Sequence, residues 1–407
     1  MTENSTDPGT SAFQFASQFC FPRLSGTKGE KDAQELAIHS FYKLGLEPIS
    51  EEFPASDFLL NLSRFALAPM GFLILLGSIF YFFQKPDIFF HSWLFIFFSS
   101  ALIIGLGFTI YCQSAPGFLG WGKKLWTKNI FTRIGLENPE KDILLVVHYD
   151  SKSQVFPVWL RITIYYFAVL YSLFAIALGL YVSPLPLPIC IDAGKDFFCS
   201  DMWRYFYYHP SWFWIFISAA VIDFLPLFNR LGNVSPGATD NAGAMGVILE
   251  LARIFKEHPL EKSRIWFVFT GAEELGLLGA RAFLEKHQAE LDPRKTYVIN
   301  FDPLGSGYKI GALSRLGFPG KKTDRKLNQM VKAIAEKNAL PFRMIRFSIG
   351  FATDAYPFLK KGYQTINLGT FNRWIHTPRD TVDKLNPSNL GDYVRVTYGL
   401  IKNLDSK

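Results

Sequence analysis

The sequence predicts an α/β domain, a largely parallel sheet covered by helices on both faces, interrupted by two transmembrane helical hairpins. Strand-like and helix-like segments alternate after Arg230, and four long stretches carry almost no charge. The apolar content also exceeds what one soluble core of this size has to hide: of 407 residues, 19% are charged, 16% are aromatic and 41 are Phe, with a mean hydropathy of +0.14. Soluble domains usually carry about 25% charged residues. These figures exclude a disordered chain and a coiled coil.

Residues 1–18 are expected to be a flexible tail, and residues 1–57 lack the basic start and apolar block of a secretory leader. In KDAQELAIHSFYKLGLEPISEEF, Ala33, Leu36, Ala37, His39, Phe41 and Leu44 fall at helical spacing. That helix ends near Gly45 and the chain continues extended. Ala66 to Phe83 then gives 18 residues without charge, and Ile88 to Cys112 gives 25 more whose one ionisable-at-neutral side chain is His91. Ile162 to Val182 and Tyr205 to Phe228 form a second pair, separated by the Pro-rich VSPLPLPICIDAGKDFFCSDM. Each stretch is long enough for about 30 Å of hydrocarbon, so the hairpins are placed at 61–112 and 158–229.

Between the hairpins, KNIFTRIGLENPEKDILLVVHYDS reads as a strand, an Asn-Pro turn and an apolar strand from Ile143 to Val147. The remaining elements alternate: helix Asn241–Phe255, strand Arg264–Thr270, helix Leu275–His287, strand Thr296–Phe301, helix Lys326–Asn338, strand Gln364–Asn367 and helix Pro387–Asn403. Each hairpin returns the chain to the side it left, so residues 19–60, 113–157 and 230–407 are expected to build one domain. Near that side lie Arg64, Lys123, Lys124, Lys128, Arg133, Lys152, Arg161 and Arg230, against Lys85, Lys195 and Arg204 on the other, which predicts a cytoplasmic α/β domain. The net charge of +7 fits that role. No Lys/Arg run or basic-aromatic interleaving points to nucleic acid. On the opposite side Cys190 and Cys199 are near enough in sequence to form a disulfide.

Five segments carry metal-ligand residue types where strands meet loops, the usual edge for α/β active sites. VVHYDS ends an apolar strand at His148, with Asp150 placed to hold the second imidazole nitrogen. Alone, a His-Asp pair at a strand end is more often structural. SPGATDNAGAMGV presents Asp240 before a helix, where a simple cap is the alternative. In WFVFTGAEELGLLGA a buried strand runs into Glu273 and Glu274, adjacent carboxylates that are costly to bury unless protons or cations neutralise them. YVINFDPLGSG delivers Asp302 into a Pro-Gly turn, and FNRWIHTPRDTVDKLN carries His376 followed by two acids. Together these supply two imidazoles and three carboxylates, with one carboxylate to spare, which suits two divalent zinc ions sharing an Asp.

HYDS, GATDN, GAEELGLLGA, INFDPLG and IHTPRDT, in that order, resemble the co-catalytic zinc aminopeptidase family that also contains glutaminyl cyclases and glutamate carboxypeptidase II type enzymes. The opening PRLSGTKGEKDAQELAIHSFYKLGLEPISEEF is similar to that family's first helix and strand. The resemblance implies a three-layer zinc-exopeptidase sheet and hydrolysis of N-terminal residues from a peptide substrate. By position it implies that Asp240 bridges two zinc ions, that His148 and Asp302 complete one site, and that Glu274 and His376 complete the other. It further makes Glu273 the general base and Asp150 the residue that orients His148. Asp354, in GFATDAYPF, matches a motif near the family's substrate pocket.

The second hairpin fills the interval between His148 and Asp240, a departure from the family's compact spacing. Ser151 to Arg161 and Leu231 to Thr239 are short tethers, at about 3.3–3.6 Å per residue, so the active-site edge is expected near the lipid bilayer and the substrate is expected to be membrane-derived or lipid-associated. Three other functions remain open: a glutaminyl-cyclase-like aminoacyltransferase, a non-catalytic membrane receptor or scaffold, and a transporter. An intact set of ligand types disfavours the second, and spans with few charges disfavour the third.

Overall fold

In the computed structural model, the described residues are 7–65, 67–69, 71–76, 122–182, 211–307, 309–317, 320–346 and 352–406. The chain forms two compact units: residues 1–57, 119–157 and 231–407 make the first, and residues 58–118 and 158–230 the second.

The first unit is built on one eight-stranded sheet. Its strands are β1 (Ile49–Ser56), β2 (Lys124–Ile134), β3 (Lys141–His148), β4 (Ser263–Thr270), β5 (Thr296–Phe301), β6 (Ile310–Leu313), β7 (Phe342–Ile345) and β8 (Gln364–Leu368), in the spatial order β1-β2-β4-β3-β5-β8-β6-β7. The four central strands β4, β3, β5 and β8 are mutually parallel. An antiparallel β1–β2 pair extends one side and joins β4 antiparallel, while β6 meets β8 antiparallel and β7 runs parallel to β6. His148 pairs in register with Thr270, so the loops leaving the central strands emerge on one edge.

The apolar run of β3 follows from burial on both faces. Ile143, Leu145 and Val147 enter a core with Phe267, Phe269 and residues of the Pro8–Gln18, Lys28–Lys43, Gly243–Glu257, Arg325–Lys337 and Pro387–Asp405 helices. Leu144 and Val146 enter the opposite core with Trp266, Val268, Val298 and residues of the Leu278–His287 and Ala355–Lys360 helices. A strand with no polar face has no alternation to display. Trp266 is fully buried, and its indole N–H donates to Asp142 Oδ1 at 2.8 Å.

Two expectations need correction. Residues 8–18 are no loose tail but a helix, with Pro8 in its first turn and Asp7 accepting from Thr10 N at the cap. Its Ala12 and Ala16 are fully buried, and a Cβ on Gly246 would stand 2.1 Å from the Ala12 carbonyl oxygen, so glycine permits the close approach. The helix expected from Leu275 begins at Leu278, because Ala272 and Leu277 adopt left-handed φ values of 51° and 61° and keep the preceding residues in a loop. β6, β7 and the Ala355–Lys360 helix went unforeseen; four to six residues are too few to show a period.

In the second unit, the Val158–Val182 helix packs against the Ser211–Phe224 helix through the small side chains of Ala168, Ala219 and Ala220. Among the described residues no helix is long and apolar enough to cross a membrane, and the side chains of Val158–Val182 from Ala175 onward are not among those described. Most of the expected first hairpin, the Pro-rich link, and Cys190 and Cys199 also lie outside the described residues.

The C-terminus closes onto the sheet through Asp405. Its carboxylate accepts from the backbone N–H groups of Glu261 (3.1 Å), Lys262 (3.1 Å) and Ser263 (2.9 Å) at the start of β4. Burial opposes the charge, but these donors hold the carboxyl below the usual carboxylate range. Because the native pKa is depressed, the stabilisation is complete above the unfolded value of about 3.9 and is lost as pH falls through the native one. Asp405→Ala should therefore lower the unfolding free energy by about 1–3 kcal/mol at neutral pH, with the gap to wild type closing in acid. Urea titrations at a series of pH values check this, and a gap that does not change with pH would contradict it.

Candidate metal centre and active site

Each ligand candidate reaches the common edge on its own loop. His148 is the last residue of β3 and Asp302 directly follows β5, while Glu273 and Glu274 follow β4 and His376 lies in the loop after β8. Asp240 sits in the turn 238–242 ahead of the Gly243–Glu257 helix. That turn opens at Gly237 with φ +59°, where a Cβ would stand 2.6 Å from both the Asp240 carbonyl oxygen and Ser151 Cβ. His376 itself has φ +62°, a left-handed conformation uncommon for non-glycine residues.

Two triads result. His148 Nε2 stands 3.1 Å from Asp240 Oδ1 and 3.6 Å from Asp302 Oδ1. His376 Nε2 stands 3.0 Å from the other Asp240 oxygen and 3.1 Å from Glu274 Oε1. In each triad the ligand atoms lie within 4.8 Å of one another, and Asp240 belongs to both. Asp240, Glu273, Glu274 and Asp302 are all less than 9% exposed, so this pocket holds four carboxyl groups with little water to screen them.

The residues fit metal ions. His148 Nδ1 lies 3.0 Å from the Asp150 carbonyl oxygen, a contact in which the nitrogen donates, and this leaves the Nε2 lone pair facing carboxylate oxygens. His148 Nε2 and Glu274 Oε1 are both buried without a hydrogen-bond partner. Lone pairs aimed at one another repel unless a proton or cation lies between them. The 3.0–3.6 Å separations match the roughly 3.3–3.4 Å between ligand atoms bonded at about 2.0–2.1 Å to a tetrahedral zinc. His148, Asp240 and Asp302 thus form one possible metal site.

The protein's own charges have the same demand. Burial pushes the Glu273 carboxyl well above its ordinary range, against the imidazole of His148 and with the help of Glu274 and Asp302. Burial likewise raises Asp302 to about 6. At Asp240 burial is outweighed by the two imidazoles, which hold the carboxyl below the usual range. Glu274 is drawn down to about 2 because His376 and Lys152 overcome its burial. Burial would keep His148 neutral, yet Glu273 and the acceptors around it raise its pKa well above the ordinary value.

Residues around the ligands hold the loops. The Asp150 carboxylate accepts from Ser25 Oγ at 2.9 Å and from the backbone N–H groups of Glu273 and Glu274 at 3.2 Å each. Lys152 Nζ pairs with Glu274 Oε2 at 2.6 Å. Fully buried Arg23 donates to the carbonyls of Tyr149 (2.7 Å), Pro236 (2.7 Å) and Gly237 (3.1 Å), joining the His148 and Asp240 loops. Asp380 accepts from Thr239 N (3.0 Å), Thr239 Oγ1 (2.7 Å) and Asp240 N (3.2 Å), joining the His376 and Asp240 loops. Asp354 is buried beside β4, where Thr270 Oγ1 donates to one carboxylate oxygen while the other has no hydrogen-bond partner. Burial pushes its carboxyl up to about 7.

Every site residue expected from the sequence therefore lies on this edge. Lys152 was readable as the neighbour of HYDS, and Asp380 as one of the acids after His376. Nothing in the sequence pointed to Ser25 or Arg23: the Asp150 partner of Ser25 and the Tyr149, Pro236 and Gly237 carbonyls that Arg23 joins lie more than a hundred residues away.

A mixed α/β sheet with paired carboxylate–imidazole groups at one edge is an arrangement like that of metal-dependent exopeptidases. Residues 221–401 match peptidase family M28. The aminopeptidase YwaD of Bacillus subtilis is 31% identical over 172 residues, which are 39% of this chain and 36% of that protein. The chain thus spans well under two thirds of this curated relative. Among solved structures, a leucine aminopeptidase precursor from Bacteroides thetaiotaomicron superposes with a TM-score of 0.55 at 14% identity, covering 99% of each chain. An Acidobacteriales bacterium glutaminyl cyclase gives 0.54 at 14% identity over 100% of this chain and 98% of the other. At these identities the likeness is one of fold.

Removing the clamp between the His376 and Asp240 loops should loosen metal binding while leaving the sheet intact. Asp380→Ala is expected to weaken zinc affinity by about 10–100-fold, measured by competition with a chromophoric chelator. Unchanged affinity in a folded variant would contradict that role.

Proposed function

We propose that this protein is a zinc-dependent exopeptidase of the aminopeptidase type, held in a membrane by two hairpins. The observation that carries the reading is the pair of triads sharing Asp240, with Glu273 beside them. His148 and Asp302 would hold one zinc, Glu274 and His376 the other, and Asp240 both. Bound there, the ions would supply Lewis-acid polarisation of the scissile carbonyl and lower the pKa of a nearby water.

Glu273 is the general base. It takes a proton from the attacking water as the C–O bond forms and returns it to the amine nitrogen as the C–N bond breaks. Asp150 fixes this base by accepting from its backbone N–H, and orients His148 through the loop they share. Lys152 holds one oxygen of Glu274 and leaves the other turned toward His376. Asp354, with one oxygen unpartnered, is assigned to the substrate side of the pocket.

The membrane part of the reading rests on the uncharged stretches Ala66–Phe83, Ile88–Cys112, Ile162–Val182 and Tyr205–Phe228. The bias of Lys and Arg supports a cytoplasmic catalytic unit. With lipid bilayer as the surrounding, the substrate proposed is a membrane-derived or lipid-associated peptide. The complete ligand set favours hydrolysis over the ring closure of a glutaminyl cyclase.

Glu273→Gln should retain about two zinc ions per chain while kcat/KM on aminoacyl substrates falls by about 10²–10⁴-fold. Metal analysis beside hydrolysis assays checks both halves, with an N-terminal glutamine peptide included to detect ring closure. Undiminished hydrolysis in the variant would overturn the assignment of the base.

A further inference from the structure

Trp374 lies two residues before His376 in the loop leaving β8, and three cations surround its indole. The Arg373 guanidinium stands 4.4 Å from the ring centroid, Lys384 Nζ 5.5 Å and the Arg379 guanidinium 5.7 Å. The ring's electron density attracts each of them, but three like charges around one ring repel one another.

The protein compensates little of this charge. Lys384 has the Asp383 carboxylate, which also accepts from Thr381 Oγ1. Arg373 and Arg379 are exposed, and neither forms an ion pair among the described residues. Asp380, in the same loop, is buried and occupied with Thr239 and Asp240. The corner therefore presents two guanidinium groups without counter-charge, on a loop held at two points: His376 by the carboxylates of the site and Asp380 by the Asp240 turn.

Arg373 and Arg379 are each three residues from His376, which limits the intervening chain to roughly 10–11 Å. An extended peptide bound with its scissile bond at His376 advances about 3.3–3.6 Å per residue. Its second or third residue beyond that bond is thus within reach of the two guanidinium groups, which suit planar carboxylates.

We propose that Arg373, Arg379 and Trp374 form a subsite for a peptide carboxylate just C-terminal to the scissile bond, supplied by an Asp or Glu side chain or by the peptide's own C-terminus. This deepens the exopeptidase reading and rests on it. The subsite gives the enzyme a preference for short acidic peptides, expressed in KM.

The test compares three peptides on the wild-type protein: Leu-Gly-Asn-Gly amide, Leu-Gly-Asp-Gly amide and Leu-Gly-Asn-Gly with a free C-terminus. One or both acidic peptides should show a KM about three- to tenfold below that of the neutral amide, and the arm that responds identifies the source of the carboxylate. The advantage should shrink toward one in 0.5 M NaCl, where the screening length is only a few ångströms. It should also shrink toward one in Arg373→Gln/Arg379→Gln and persist in Arg373→Lys/Arg379→Lys. Equal KM values for the three peptides, or a preference that survives loss of both charges, would overturn the subsite and leave the exopeptidase reading standing. Failure to cleave any of the three would sink both. Phosphatidylserine vesicles that bind wild type but not the Gln variant, with KM equal across peptides, would give the corner to lipid headgroups and overturn the proposal.

Discussion

Four carboxyl groups, those of Asp240, Glu273, Glu274 and Asp302, are buried together at one edge of the sheet, and their mutual repulsion is the constraint the rest of the unit answers to. No loop left to itself would keep such groups together. The central strands bring Glu273, Glu274 and Asp302 to one edge because parallel strands all end on the same side, and the turn 238–242 adds Asp240. The loops are then tied to one another by groups that hold backbone rather than ligand atoms. Asp150 takes the N–H groups of Glu273 and Glu274, Asp380 takes those of Thr239 and Asp240, and Arg23 spans the carbonyls of Tyr149, Pro236 and Gly237. A buried charge left without a partner is strongly destabilising, so these ties and the cations the pocket suits act on the same free-energy problem.

The sequence showed the elements that are long and buried. β3, β4 and β5 announce themselves as apolar runs, and each ends on or beside a residue of the pocket, so the ligand candidates were legible without coordinates. Short elements were not: Ile310–Leu313 and Phe342–Ile345 acquire their strand character from pairing across the sheet, which no local pattern encodes. The Pro8–Gln18 helix was misread because its buried face is made of Gly9, Ser11, Ala12 and Ala16, residues that advertise no hydrophobic stripe but allow close packing.

The residues that support the pocket were the hardest to foresee. Arg23 looks like any surface cation in sequence, and its role follows from the chain folding it under both the His148 and the Asp240 loops. Asp380 was visible as an acid near His376, yet its partners Thr239 and Asp240 lie far upstream. Ligand-bearing motifs are local, whereas what orients them is tertiary.

The scattered origin of the first unit has a consequence for how it comes into being. β3 lies between β4 and β5, so Lys141 must wait for Ser263 and Asp142 for Thr296 before either edge of the strand is satisfied. During synthesis on the ribosome, a strand apolar on both sides is therefore made long before its neighbours, with residues 158–230 of the second unit emerging in between. Such late pairing belongs to slow-folding topologies, and an unpaired apolar strand is what chaperones bind.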